Sequence, residues 1–269
     1  MWIQSGGPLV IDCVFENNHS DVSGGAIYLG NGRARIFNCL FYQNSSVLWG
    51  GGIDNTGSPS HSYPIVIGCT FIENAADLGN ADETGDGFRL KGSNTVVYNC
   101  VLWGNTPDSV EHGGQSPIIG NSLVQGSMAG FTDGGGNMNA NPLFVNASAN
   151  DYRLSSGSPA IDAGHNSPHA EFVGFLTDLG GEARFFDDLD TVDTGVGSSP
   201  IIDMGAYEYQ GAEPCPADFT GDGIINFFDV SAFLQLFGAQ DPEADFTDDG
   251  IWNFFDVSAF LQAFAAGCP

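Results

Sequence analysis

The sequence predicts a mainly β chain, in which a parallel β-helix is followed by a small α-helical domain built on two acidic loops. Three observations carry this. A strand-and-glycine pattern recurs four times in the front of the chain. Two near-copies of one acidic segment stand 27 positions apart at the back. Charged residues make up only 14% while glycine reaches 38 of 269 residues, a turn-rich balance that suits strands better than helices.

The front repeat comes first. CVFENN at 13–18, CLFYQN at 39–44, CTFIEN at 69–74 and CVLWGN at 100–105 share the form C-x-(F/L)-x-x-N, spaced by 26, 30 and 31 residues. Side chains alternate along a strand, so the Cys and the Phe or Leu of each copy share one face, and the Asn ends the strand. Glycine-rich strands lie between the copies: GGAIYL at 24–29, GGGIDN at 50–55 and GDGFRL at 85–90. A period of this length fits one coil per repeat. Stacked coils then bury columns of cysteine and aromatic rings, and the asparagines bond up the stack as a ladder. Cys13, Cys39, Cys69 and Cys100 follow the coil period with no histidine in step, which reads as buried small apolar side chains and not as a metal site.

This pattern resembles the right-handed parallel β-helix proteins of the pectate-lyase-like superfamily over roughly the first 130 residues. The following segments, NSLVQG at 121–126, NPLFVN at 141–146, DYRLSSGSPAIDAG at 151–164 and VDTGVGSSPIIDMGAYEYQ at 192–210, resemble the choice-of-anchor tail of secreted bacterial β-helix proteins. The resemblances imply coils over 1–135, a closing region over 136–210, a linker at 211–214 and a separate domain over 215–269. Runs such as IIDMGAY are expected to cover the open edge of the last coil. Asp162, Asp178, Asp203 and Glu208 stand beside glycines, where bonding turn amides is the plainer role and metal binding the other.

At the back, DFTGDGIINFFD at 218–229 and DFTDDGIWNFFD at 245–256 place oxygen-bearing groups at positions 1, 3, 5, 7, 9 and 12 with glycine at 6, the arrangement of an EF-hand-type calcium loop. Loop one offers Asp218, Thr220, Asp222, the Ile224 carbonyl, Asn226 and Asp229, and loop two offers Asp245, Thr247, Asp249, the Ile251 carbonyl, Asn253 and Asp256. Each is followed by an apolar stripe at helical spacing: Val230, Phe233, Leu234 and Phe237, then Val257, Phe260, Leu261 and Phe264. With no entering helix and Asp at position 12, the pair resembles a dockerin module, a type I, paired-loop connector of cellulosome-type assemblies. That resemblance implies two Ca²⁺ ions and a cohesin-like or cell-surface partner. A core this thin would gain from the ions and from a clasp between Cys215 and Cys268, which bracket the module. Positions 10 and 11, which help choose the partner in dockerins, hold Phe227-Phe228 and Phe254-Phe255. They read either as an apolar docking patch usable in two orientations or as core, the core reading being favoured for Phe228 and Phe255.

A net charge of −27 repels nucleic acid and anionic membrane surfaces and suits a calcium-rich extracellular fluid. No apolar run approaches a membrane span. MWIQSGGPLVIDCVF has neither the basic nor the apolar stretch of a secretory signal, so the sequence is expected to begin inside a longer secreted protein.

Catalysis is weakly signalled. Arg89-Leu-Lys91 resembles the R-I-K element of polygalacturonases, but the companion G-H-G and N-T-D elements are missing. Arg89 and Lys91 therefore read as a solvated strand face before a substrate clamp. Asp54, Asp82, Glu83 and Asp86 are the available carboxylates, and His19, His61, His112, His165 and His169 have no nucleophile or metal spacing. The preferred function is a β-helix, structural or polysaccharide-binding, tethered through its calcium-dependent tail. A polysaccharide lyase or glycoside hydrolase on the same tail is the alternative, and an adhesive or surface-layer protein the second.

Overall fold

The computed structural model describes residues 1–57, 62–76, 88–91, 94–106, 110–113, 117–126, 128, 131–170, 176–211, 216–220 and 225–267, apart from the side chains of Lys91, residues 110–113, His169 and Ala170. The chain forms two compact units, Met1–Gln210 and Gly211–Pro269.

In the first unit, short strands stack in parallel as a β-helix. One sheet orders Trp2–Gly6, Ile27–Gly32, Ile53–Asn55, Phe88–Lys91 and Val110–Gly113. A second runs from Leu9–Ile11 through Arg35–Phe37, Ile65–Ile67, Val96–Tyr98 and Ile118–Gly120 to Thr132–Asp133. A third stacks Val14–Glu16, Leu40–Tyr42, Thr70–Ile72, Val101–Trp103 and Leu123–Val124. Alternation puts Val10, Ile36, Val66, Val97 and Ile119 of the second sheet, and Phe41, Phe71, Leu102 and Val124 of the third, into one buried core.

The repeat makes the columns it predicts. Phe15, Phe41 and Phe71 stack at 4.8 and 4.5 Å between ring centroids, and Phe88 of the first sheet extends the pile at 4.9 Å. Asn18, Asn44 and Asn74 each donate their side-chain amide to the Oδ1 of the next asparagine, at 2.8, 2.8 and 2.9 Å, ending at Asn105. The amides of Asn44, Asn74 and Asn105 also reach the carbonyls of Phe15, Phe41 and Phe71. The thiols of Cys39, Cys69 and Cys100 are buried and free. A fifth coil, with Ser122 in the cysteine place, continues the column: its Oγ accepts the Cys100 amide at 3.1 Å. NSLVQG thus belongs to the coils.

The corners rest on left-handed residues just before each Cys and each ladder Asn. Asp12, Asn38, Gly68, Asn99 and Asn121 turn the second sheet into the third, and Asn17, Gln43, Glu73 and Gly104 make the next corner, all at positive φ. Asn, Asp and Gly tolerate this region best. The corner asparagines have a further task. Asn38, Asn99 and Asn121 donate to the carbonyls of Thr177, His165 and Ala163 in the segment that follows the coils.

Among its described residues that segment, 136–210, holds a hairpin (Phe144–Asn146 with Asp151–Leu154) joined by a 3-10 turn (Ala147–Ala149), a short helix α1 (Asn166–Ala170) and otherwise irregular chain. It covers a flank of the solenoid, where an end cap over the last coil was expected. Leu40, Tyr42, Ile72, Val101 and Leu123 point outward from the third sheet and form a second core with Tyr152, Leu154, Ile161 and Met204. The Ala206 amide donates to Thr70 Oγ1 at 2.9 Å and the Gly205 amide to the Asn99 carbonyl at 2.8 Å. The reason is the outward face: left bare, several coils would expose a continuous apolar strip.

The second unit contains two helices, α2 (Phe227–Ala239) and α3 (Phe254–Ala266). Phe233 and Phe260 stack at 4.0 Å in its centre with Ala217 and Ala244, ringed by Phe219, Phe237, Phe246 and Phe264. The stripe differs from the expected one by one residue per helix. Leu236 and Ala263 pack inward, whereas Leu234 and Leu261 are about half exposed. With about 100° per residue and Phe233 or Phe260 at the centre, the residue one step on falls at the flank. Among the described residues no helix is long and apolar enough to cross a membrane.

Candidate calcium loops and buried charge clusters

Both loops end in the same cap. Asn226 and Asn253 accept the Phe228 and Phe255 amides at 2.8 and 2.7 Å, while Asp229 and Asp256 reach back to the Asn226 and Asn253 amides at 2.8 Å, closing a capping box at each helix start. The second carboxylate oxygen takes both the amide and the hydroxyl of Thr220 or Thr247, at 3.1 and 2.8 Å. The Asn226 and Asn253 amides, helped by the two threonines, hold Asp229 and Asp256 below the usual carboxylate range. Thr at position 3 therefore serves as a donor that fixes position 12.

Loop two curls around position 1. Asp245 accepts the Asp249 amide at 3.3 Å and the Gly250 amide at 2.7 Å, and Gly250 sits at φ 74°. The Asn253 side chain donates to the Ile251 carbonyl at 2.9 Å. Position 9 thus gives its oxygen to the helix cap. In loop one, Asp218 accepts the Thr220 hydroxyl at 3.2 Å; Asp222 and Ile224 lie outside the described residues, as do Cys215 and Cys268. Every candidate ligand is an oxygen, the chemistry of a hard cation.

Phe227, Phe228, Phe254 and Phe255 are 76%, 68%, 75% and 68% exposed. The core reading of Phe228 and Phe255 is overturned, because the core is already filled by Phe233, Phe260 and the rings around them. Leu234 and Leu261, one position short of two turns on from Phe228 and Phe255, add apolar surface at 54% and 51% exposure.

Arg89 also departs from expectation. It is 2% exposed, its Nη1 lies 3.3 Å from Asp54 Oδ1 on the neighbouring strand, and its guanidinium stacks over Trp49 at 4.4 Å. The solvated-face reading does not hold: a guanidinium among an aromatic ring and a buried carboxylate is a desolvated pair. Lys91 ends the same strand, with its side chain outside the described residues, as are Asp82, Glu83, Asp86 and His61. The His112 and His169 side chains also lie outside. His19 is a surface residue beside Ser45 and Asp21, and the His165 backbone is held by Asn99.

The acidic residues of the covering segment divide in two. Asp178 accepts the Glu182 and Glu208 amides, Asp203 those of Asp162 and Tyr209, and Glu208 that of Asp203, the turn-bonding role expected of them. Burial raises Asp203 to about 7. Burial and the adjacent Asp203 push Glu208 well up despite Arg184 at 3.7 Å. Asp162 is the exception. It is fully buried, and neither carboxylate oxygen has a hydrogen-bond partner. Burial and then Asp193, Asp187 and Asp188 raise it to about 6, against a weak opposing pull from the Asp188 amide.

The coils decide the family: residues 1–148 match the family described as Right handed beta helix region. The chain belongs to it. Comparison with curated proteins and with solved structures gives no match. Membership in the right-handed β-helix family establishes the architecture; activity depends on sites built on it.

Proposed function

We propose that the chain is a secreted modular protein in which a dockerin-like, calcium-dependent tail tethers the right-handed β-helix to a cohesin-like or cell-surface partner. The observation that carries the reading is the duplicated exposure of Phe227-Phe228 and Phe254-Phe255 at two equivalent, capped helix starts beside oxygen-donor loops. Two large aromatic side chains left in water on each copy suit docking better than folding. In each loop the acidic groups would hold one Ca²⁺, and the Phe pairs would offer the same apolar patch in two orientations.

For the β-helix the reading is a structural or glycan-binding surface. A cleft of about 1030 Å³ lined by Ser5, Asn31, Arg33, Arg35 and Tyr63 supports the second. It gathers two of the six basic residues of a strongly acidic chain, with Arg33 stacked over Tyr63 at 5.3 Å, a pairing suited to a carboxylated sugar.

The test is binding to a panel of immobilised cohesin domains, with Ca²⁺ and with EDTA. Calcium-dependent capture is expected, retained by Phe227→Ser or Phe254→Ser alone and lost in the double variant. No capture by any cohesin, together with a circular dichroism spectrum indifferent to EDTA, would sink the tether. In parallel, new unsaturated or reducing ends from acidic and neutral polysaccharides would shift the reading to a polysaccharide-degrading enzyme on the same tail.

A further inference from the structure

The covering segment of the β-helix holds a cluster that neither the coils nor the tail explains. Asp162, Asp187 and Asp193 each place a carboxylate oxygen within 4.8 Å of the others, the one group of three so close among the described residues. Acidic surface clusters are common without a ligand, and Asp187 and Asp193 are half-buried and exposed. Asp162 is different: its carboxylate is fully buried and aimed at the other two, and neither oxygen accepts a well-formed hydrogen bond, the Asp188 amide exerting only a weak pull. A buried carboxylate left unpaired among like charges is costly to ionise unless a cation joins it; otherwise it takes up a proton.

Among the described residues no basic side chain forms an ion pair with it. Arg184, the buried guanidinium of this segment, lies against Glu208 and donates to the carbonyls of Asp203 and Gly205. Arg153 pairs with Asp151. Nor does Asp162 serve a turn as its acidic neighbours do. Its backbone does that work instead: its carbonyl accepts the Thr194 and Gly195 amides at 2.9 and 3.0 Å, and the Val196 amide reaches the Gly164 carbonyl at 2.8 Å. These bonds hold the 187–196 loop against the IDAG turn and leave the carboxylates facing one another. Gly195 fits there because a Cβ would collide with the Gly164 carbonyl.

We propose that Asp162, Asp187 and Asp193 form a calcium site in the covering segment of the β-helix, separate from the two tail loops. The donors are all carboxylate oxygens, which select a hard cation over zinc or copper. Asp162 offers two free oxygens, Asp187 retains one beside the Ser199 hydroxyl bond of 2.8 Å, and Asp193 is open to solvent. Such a set leaves room for water and carbonyl ligands, which Ca²⁺ takes in irregular geometry at roughly 2.3–2.6 Å and Mg²⁺ does not. The ion would pin the 187–196 loop to the flank of the solenoid.

The experiment counts Ca²⁺ per full-length chain by native mass spectrometry and measures affinities by calorimetry, after chelator stripping and with excess Mg²⁺ present. Asp187→Asn and Asp193→Asn, both on accessible side chains, are each expected to remove one ion or weaken it at least about tenfold while circular dichroism stays unchanged. The chain carrying Asp229→Ala and Asp256→Ala is expected to keep that ion, which separates this site from the tail loops. An unchanged count and affinity in both Asn variants would overturn the site whatever the tail does. Loss of all binding in the tail variant would overturn it equally.

Discussion

Asn74 shows how much one side chain does in this fold. It accepts from the Asn44 amide and side chain, donates to Asn105 Oδ1 and donates to the Phe41 carbonyl, all in the buried interior. Asn74→Ala leaves Asn44 and a carbonyl unpaired, at a cost of about 2–4 kcal/mol. Thermal unfolding should show a fall of several degrees, and a smaller one for Asn18→Ala at the outer rung. Arg89 makes a related point. Arg89→Ala removes the guanidinium from beside the buried Asp54 carboxylate and should cost about 3–5 kcal/mol, measured by denaturant unfolding. Replacing both partners with apolar residues should recover much of that loss. Any loss of glycan cleavage on Arg89→Ala therefore has to be read beside a stability measurement.

Among the elements, α2 and α3 are the most direct test of local signals. Asn253→Ala removes the cap oxygen and should destabilise the tail by about 1 kcal/mol, seen as a lower helix melting temperature. Much of this architecture was legible in the sequence. The C-x-F-x-x-N spacing foretold the aromatic pile and the asparagine ladder because each coil repeats one environment. The corners were visible too, as Asp12, Asn38, Gly68 and Asn99 before each Cys, but their left-handed role needs the backbone to be seen. The fifth coil was hidden because Ser122 stands where Cys was sought. The flank cover was hidden for another reason. Outward residues such as Leu40 and Ile72 alternate with inward ones, so a period-2 pattern identifies strands without saying what lies on their far side. Burial of Arg89 and exposure of Phe228 failed likewise, since both depend on neighbours remote in sequence.

At the scale of the whole molecule, the two units answer pH in opposite senses. Asp203 and Glu208 in the β-helix unit have raised carboxyls, so the folded state holds protons that the unfolded chain releases near pH 4. Their protonation favours the fold below that range, and the advantage is lost as pH rises toward about 7. Asp229 and Asp256 have depressed carboxyls, so their contribution is present above about pH 4 and lost in acid. In EDTA, melts between pH 3 and 8 should show the tail weakening at the acid end and the β-helix unit weakening as pH passes from 5 to 8. The flank cover also bears on load. A pull on the tail enters the β-helix unit at Gln210, directly behind a strip bonded to Thr70 and Asn99 on separate coils. Force along that strip loads its bonds and apolar contacts together, in shear, instead of peeling the last coil rung by rung. A solenoid held this way resists being unravelled by a pull at Gln210.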